Sequence, residues 1–442
     1  MSNAIPLVKP VKGRLKLAPL VKNLSITFSE NVMTKGLSFL TILMLTRTLG
    51  PGDYGKYSFV FVTVAMCSAL FDFGMENTAV RFASKDKALI QPIFGLYLLV
   101  KLGTLAGLVL FFTLAGPWCF ELMHKGEMSQ YLPYIITGLI GESLFFVNDT
   151  YLQARQRFQF RAALNIARAS VVLVYVAALL GGHGLSLNTV FFIYLIPLLF
   201  SVLFLGKYAG FVRSFLSNAL KPPFLQELGR YERWMFVYST AYNLLGRMDF
   251  FMLGFWVQFQ QLGIFNAAYQ LCSIVSFLPM CLGKVLLPAL SELSESAVFE
   301  KTKKLIRVTG FICLAATLLI PMTAWVVPVL LGSEYVSAIP ILQILLLAFI
   351  LGLLSMPYEQ SLYSLGRPKV LSVGRYLQLF LIVGLNLILL PNLSMRHRVF
   401  AVAWTGLAGR LLYLFYARYF YLAYEKSVIR QLKTPRLMEH VG

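Results

Sequence analysis

Charged residues are scarce: they make up 13% of the 442 residues, about half the share usual in a soluble domain. Hydrophobic residues make up 58%, so the chain cannot coat several soluble domains with polar surface. Histidine is rarer still. The four histidines (His124, His183, His397, His440) lie far apart, which excludes a zinc site built on ligand spacing. The five cysteines show no metal-binding or disulfide pattern, and all but Cys119 sit in apolar stretches. No Gly-x-x-x-x-Gly-Lys-Ser/Thr loop occurs, which excludes ATP hydrolysis of the phosphate-loop kind. No cofactor is implied. Acids are few too, at 19 against 39 Lys and Arg, for a net charge of +20. In a soluble protein that excess would point to nucleic acid, but in a membrane protein it first reports topology.

What the chain does have is long uncharged runs. No Asp, Glu, Lys or Arg lies between Lys101 and Glu121, Arg307 and Glu334, Glu334 and Glu359, or Arg375 and Arg396. Each gap suits one crossing of about 20 apolar residues. This reading predicts an all-α integral membrane protein with twelve transmembrane helices, near 28–48, 57–80, 92–115, 131–153, 163–181, 188–206, 234–257, 266–287, 308–328, 338–362, 370–391 and 399–422. Both termini then lie on one side. A basic arm (1–27) with Lys9, Lys12, Arg14, Lys16 and Lys22 precedes the first helix, and with no apolar core followed by a small-residue cleavage site it is not expected to act as a cleavable signal peptide. Every loop on that side is net positive and the opposite loops are nearly neutral, so the termini are expected to be cytoplasmic. Topology absorbs the positive charge, and no nucleic-acid partner is needed. The far-side loops are short, which leaves no room for the external carboxylates of a glycosyltransferase or polymerase.

At an offset near 208 the chain resembles itself: Gly55 and Tyr57 fall opposite Gly263 and Phe265. At offset 207, Tyr151, Gln153, Leu164 and Arg168 match Tyr358, Gln360, Leu371 and Arg375. Six helices separate equivalent points, which predicts parallel repeats that rock about an axis along the membrane normal. The expected units are an N-lobe (28–206), a linker (207–233), a C-lobe (234–424) and a cytoplasmic tail (425–442).

Ionisable residues inside spans are costly and usually face a partner or a cavity. The candidate anion-binding cations are Lys101, Arg168, Arg247, Arg375 and Arg410, because Arg offers forked donors to phosphate. The candidate proton- or sodium-coupling acids are Asp72, Glu142 and Asp249. The competing reading is that each acid merely neutralises a nearby cation. Glu30, Glu76, Glu359, Arg375 and Arg418 lie near predicted ends, where snorkelling to the interface is expected. The tyrosines of the last helix are expected to form an interfacial belt. Gly352, Pro357, Pro279 and Gly283 are candidate bends.

The stretch Leu45-Thr46-Arg47-Thr48-Leu49-Gly50-Pro51-Gly52-Asp53-Tyr54-Gly55-Lys56-Tyr57, then Asp72-Phe73-Gly74-Met75 and Arg81-Phe82-Ala83, resembles the N-terminal signature of bacterial polysaccharide-biosynthesis membrane proteins. These are Wzx-type oligosaccharide-lipid flippases of the multidrug/oligosaccharidyl-lipid/polysaccharide (MOP) exporter superfamily. The resemblance implies a V-shaped pair of pseudo-symmetric six-helix bundles around a cationic cavity in the bacterial inner membrane. It implies that an oligosaccharide repeat unit on undecaprenyl pyrophosphate, such as the O-antigen unit of lipopolysaccharide, is moved outward by alternating access. Implied partners are the bilayer, a proton or sodium ion and polysaccharide polymerase machinery. Lipid II flipping and cation-coupled export of drugs or metabolites are the alternatives within the superfamily.

Overall fold

The structure is a computed structural model, and it describes residues 17–85, 87–182, 186–217, 222–275 and 295–433. Every regular element among these is helical. In chain order they are α1 (Leu17–Leu70), α2 (Met75–Lys85), α3 (Ile90–Leu114), α4 (Gly116–Leu122), α5 (Leu132–Ala154), α6 (Phe158–Gly181), α7 (Leu187–Phe191), α8 (Leu195–Val202), α9 (Leu205–Ser217), α10 (Pro222–Trp256), α11 (Phe259–Val275), α12 (Glu295–Thr317), α13 (Leu319–Leu331), α14 (Ala338–Ser364), α15 (Pro368–Asn392) and α16 (Met395–Lys433).

Among the described residues, six helices are by length and composition apolar enough to cross a membrane, or eight if two bent pairs each count as one span. The shortfall from twelve has physical causes. The continuous α1 holds two crossings that meet at Gly50, whose φ of 68° breaks the helix ahead of Pro51. The second crossing is interrupted at residues 71–74 and resumes in α2. Helix α5 spends part of its length on Glu142, Asn148 and Asp149, and α10 carries a charged leading segment. Helix α11 runs up to residues outside the described set, where Pro279 and Gly283 also lie. The sixth span bends by 59° between α8 and α9, and the ninth by 46° between α12 and α13. Residues expected as linker are largely helical: α9 packs on α3, and the start of α10 packs on α2. Many large apolar side chains point outward, including Leu114, Leu203, Phe311, Trp325 and Phe380, as lipid-facing helices require.

Buried apolar side chains form one cluster across both halves on the side opposite the termini, from Tyr54 and Phe59 to Val257, Phe265 and Tyr335. Toward the termini the core divides. One cluster holds α2, α3 and α5 together with Phe211 and Leu228, and another holds Phe299, Leu362, Leu371 and Tyr421. The bundles share a core at one end and keep separate cores at the other, where α10 still touches the first lobe through Phe236 on Phe73, ring centres 5.5 Å apart, and Asn243 donates to the Ala69 carbonyl at 3.0 Å.

The helical turns locate the repeat. Gly50 precedes α1's second half as Gln258 precedes α11, in keeping with the 208-residue offset. Between α5 and α6, Gln156 has φ 57°, and between α14 and α15, Gly366 has φ 70°. Arg157 and Arg367 follow them, each starting a helix. Equivalence at that corner is therefore 210 residues, which corrects the 207-residue match by three, close to one helical turn. A slip of that size leaves the matched residues near the same helix face.

Candidate functional site

Ionic groups within the membrane fall into two populations. The first is held by ion pairs and hydrogen bonds, though Asp72 and Glu30 also border cavities. Asp72 lies in the break of the second crossing, where Phe73 (φ 55°) and Gly74 (φ 90°) turn the chain. One Asp72 oxygen accepts the Glu76 backbone N–H at 3.0 Å. The other accepts Tyr97 Oη at 2.7 Å and Lys101 Nζ at 2.8 Å. Lys101 is 3% exposed and also donates to the Ser68 carbonyl at 3.1 Å. The Asp-Phe-Gly signature is therefore a helix break capped by a carboxylate and tied to α3.

Arg161 donates to both oxygens of Asp149 at 2.7 and 2.8 Å and approaches Glu30 to 3.7 Å. Asn165 donates to Glu30 and Asp149 at 2.7 and 2.8 Å. Glu30 is 6% exposed, so it is held by this network instead of snorkelling. Glu359 and Arg375, also expected at an interface, pair with each other at 2.9 Å, and Arg375 lies 3.8 Å from the Tyr413 ring centre. Tyr413 and Tyr421 are accordingly buried at 1% exposure, while Tyr419 is exposed. The expected tyrosine belt is thus partly core.

In the second population one pair faces a cavity and two arginines lie near the junction of the lobes. A cavity of about 400 Å³ lies inside the first bundle and is bordered by α1, α5, α6, α8 and, from the other lobe, α11. Glu142 and Arg168 face it, joined at 2.5 Å, and Arg168 lies 4.4 Å from the Phe145 ring centre.

In the second lobe Arg247 and Arg410 form no hydrogen bond or ion pair among the described residues. Arg247 reaches toward the first lobe, 5.6 Å from the Phe61 ring centre, and shares the electrostatic surroundings of Lys35 on α1. Arg410 projects past Gly352, where an added Cβ would lie 3.2 Å from Nη1. That glycine, expected as a bend, makes room for a guanidinium. Both arginines act electrostatically on Tyr269. Beside Arg410, Asp249 has a buried oxygen without a hydrogen-bond partner. Sequence reasoning missed Lys35 as part of this group, although its place mid-way along the first predicted span was a usable signal.

Opposite the termini the lobes are clasped. Arg47 donates to the carbonyls of Leu330 (2.9 Å) and Val329, in the last turn of α13. Lys125 donates to the Val257 carbonyl at 2.7 Å, just past the end of α10. The first lobe thus supplies both cations, each to a helix C-terminus of the second, where unsatisfied carbonyls and the helix dipole favour positive charge. Lys125 lies in a far-side loop, and burial pushes its ammonium down to about 8, against the upward pull of Glu127.

Two helical lobes of long apolar helices, joined at one end and enclosing polar space, define a multi-pass membrane protein. A family profile described as "Polysaccharide biosynthesis protein" matches residues 20–294. No curated protein matches the chain by sequence. Solved structures share the fold. An inward-facing multidrug resistance transporter of the MATE family, in the MOP superfamily, aligns with TM-score 0.66 at 14% identity, over 89% of this chain and 96% of that one. The lipid II flippase MurJ, in an inward closed conformation, aligns with TM-score 0.66 at 13% identity over 88% and 87%. An outward-facing MATE transporter gives 0.58 at 14% identity over 91% and 96%. The chain belongs to the polysaccharide biosynthesis protein family, with the all-α fold of the MOP transporters and flippases.

Proposed function

We propose that this protein flips an oligosaccharide linked to undecaprenyl pyrophosphate across the bacterial inner membrane by alternating access. In this reading the termini are cytoplasmic, and the lobes 28–206 and 234–424 rock about their far-side contact. The observation that carries it is the contrast between ion-paired charges elsewhere and Lys35, Arg247 and Arg410, which make no hydrogen bond or ion pair with an acid among the described residues, Asp249 acting on Arg410 only through its field. Guanidiniums free of a direct acid partner near the junction of the lobes suit a pyrophosphate, which accepts forked donors and brings its own negative charge. The polyprenyl tail stays in lipid. Arg168 and Arg375, each occupied by a glutamate, act in second place, and the buried Lys101–Asp72 pair fixes helix packing. Asp249, beside Arg410 and short of hydrogen bonds, is the preferred site for proton or sodium coupling over Glu142 and Asp72.

Lipid II is the second reading, supported by the likeness in fold to MurJ over most of both chains. Export of cationic drugs is disfavoured, because the unpaired set is positive and would repel such cargo. The decisive experiment replaces Arg247 and Arg410 by Ala together and follows lipid-linked glycan in cells. Loss of surface glycan, with precursor accumulating and the variant still in the membrane, is the expected result. Normal surface glycan would overturn the proposal.

A further inference from the structure

The 400 Å³ chamber in the first lobe differs in chemistry from the cationic junction. Its charges are held in a network: Glu142 is bound to Arg168, and Glu30 shares Arg161 with Asp149 behind it. A chamber whose one lining cation, Arg168, is already held by an acid has little to offer a pyrophosphate. It is nonetheless rich in hydrogen-bonding groups. Ser38 and Gln270 face it with no side-chain partner among the described residues, and one Glu142 oxygen is left over by Arg168. Tyr57 and Phe61 add flat apolar faces, and they are tilted by only 17° with ring centres 6.2 Å apart. Aromatic faces beside planar amide, carboxylate and guanidinium groups suit a neutral polyol, whose C–H faces lie on rings and whose hydroxyls both donate and accept.

We infer that this chamber is the glycan subsite, taking a neutral sugar residue next to the pyrophosphate while the arginines of the second lobe hold the phosphates. The inference rests on the flippase reading above and deepens it by dividing the cargo between the lobes. The division has a mechanical consequence. Gln270 belongs to α11 of the second lobe, so a sugar held between it and Arg168 ties the lobes together. Cargo of the right size thereby favours their closure, whereas a bare lipid pyrophosphate contacts one wall only.

The test uses the full-length protein in lipid nanodiscs and two probes: polyprenyl pyrophosphate alone, and the same lipid bearing one N-acetylhexosamine. The wild type should bind the glycosylated probe at least about tenfold more tightly than the bare lipid, the scale of one well-made hydrogen bond or a little more. Gln270→Ala and the chamber-filling Ala169→Phe should remove that preference and leave bare-lipid affinity within about twofold, which also shows that they fold. Arg247→Ala with Arg410→Ala should weaken both probes. Equal wild-type affinity for the two probes, or a preference that survives both chamber variants, overturns the glycan subsite alone. Failure of the wild type to bind either probe overturns the flippase reading and the subsite with it.

Discussion

Gly55 and Gly263, 208 residues apart, meet backbone to backbone where the lobes join. A Cβ on Gly55 would lie 1.9 Å from the Phe259 carbonyl oxygen, and one on Gly263 would lie 2.1 Å from the Pro51 oxygen. One turn further on, Asn266 Nδ2 donates to Ser58 Oγ at 2.8 Å, again across 208 residues. Equivalent positions touch each other only on a two-fold axis, as in an isologous dimer contact. The axis of the internal repeat therefore passes through this junction, and rocking of the lobes must pivot on or break it.

Gly55→Ala tests whether that approach holds the lobes together. The methyl would meet main-chain atoms that no rotamer change can remove, and overpacking of this kind costs about 1–3 kcal/mol. The melting temperature in detergent should fall by several degrees, with translocation lost. Gly36→Ala, which would meet nothing within 4 Å, should leave both unchanged. Equal behaviour of the two variants would show that the contact carries no weight.

The clasp made by Arg47 and Lys125 should bias the conformational equilibrium. Each substitution by Ala strips a cation from helix-end carbonyls, worth about 1–2 kcal/mol, and should open the far side. A cysteine placed by Val60→Cys, at a fully buried position beneath the clasp, reports opening as faster reaction with a water-soluble thiol reagent. Closure holds the Lys125 ammonium near pKa 8, below the ordinary lysine value. The closed state thus binds fewer protons than a solvated one and gains stability as pH rises from about 8 toward 10.5. The cysteine should become less reactive across that range relative to the same reporter in Lys125→Met. Identical profiles would remove Lys125 from the clasp.

The Lys101–Asp72 pair predicts an asymmetry between single and double variants. Asp72→Asn strands a buried ammonium and should cost about 3–5 kcal/mol, while Asp72→Asn with Lys101→Met removes both charges and should recover most of the loss. Translocation should recover with stability. A stable double variant unable to translocate would assign the pair to transport itself.

The all-helical, membrane-spanning character of the chain and the 208-residue offset were legible because each follows from hydropathy and turn chemistry along the chain. Partnerships were not legible. Glu359 and Arg375 each looked like interface anchors on their own, and only the packing of α14 against α15 brings them to 2.9 Å. The separation of Arg168, paired at 2.5 Å, from Arg410, unpaired among the described residues, depends on which helix faces which, a relation that no one-dimensional pattern encodes. Asp72 was read as a coupling acid because the sequence placed it mid-span. The turn at Phe73 and Gly74 that makes it a cap is visible in the signature only after the chain is folded.

Glu232 links pH to the joint between α2 and α10. It lies on the leading segment of α10, outside the predicted span, and neither carboxylate oxygen has a hydrogen-bond partner. Its neighbours Phe224 and Tyr231 pack on Phe82, so the segment is pinned to the first lobe. Burial, with repulsion from Asp72 adding to it, pushes the carboxyl up to about 7, though Thr78 works the other way. The folded state therefore holds this proton more tightly than the unfolded chain does. Its contribution to stability is fully present below the ordinary glutamate value and is lost as pH rises through about 7. Glu232→Gln keeps the shape and cannot ionise, so it should raise the melting temperature above pH 7 and leave it unchanged near pH 5. Melting curves for the two proteins that run parallel from pH 5 to 8 would show that Glu232 does not titrate in the joint.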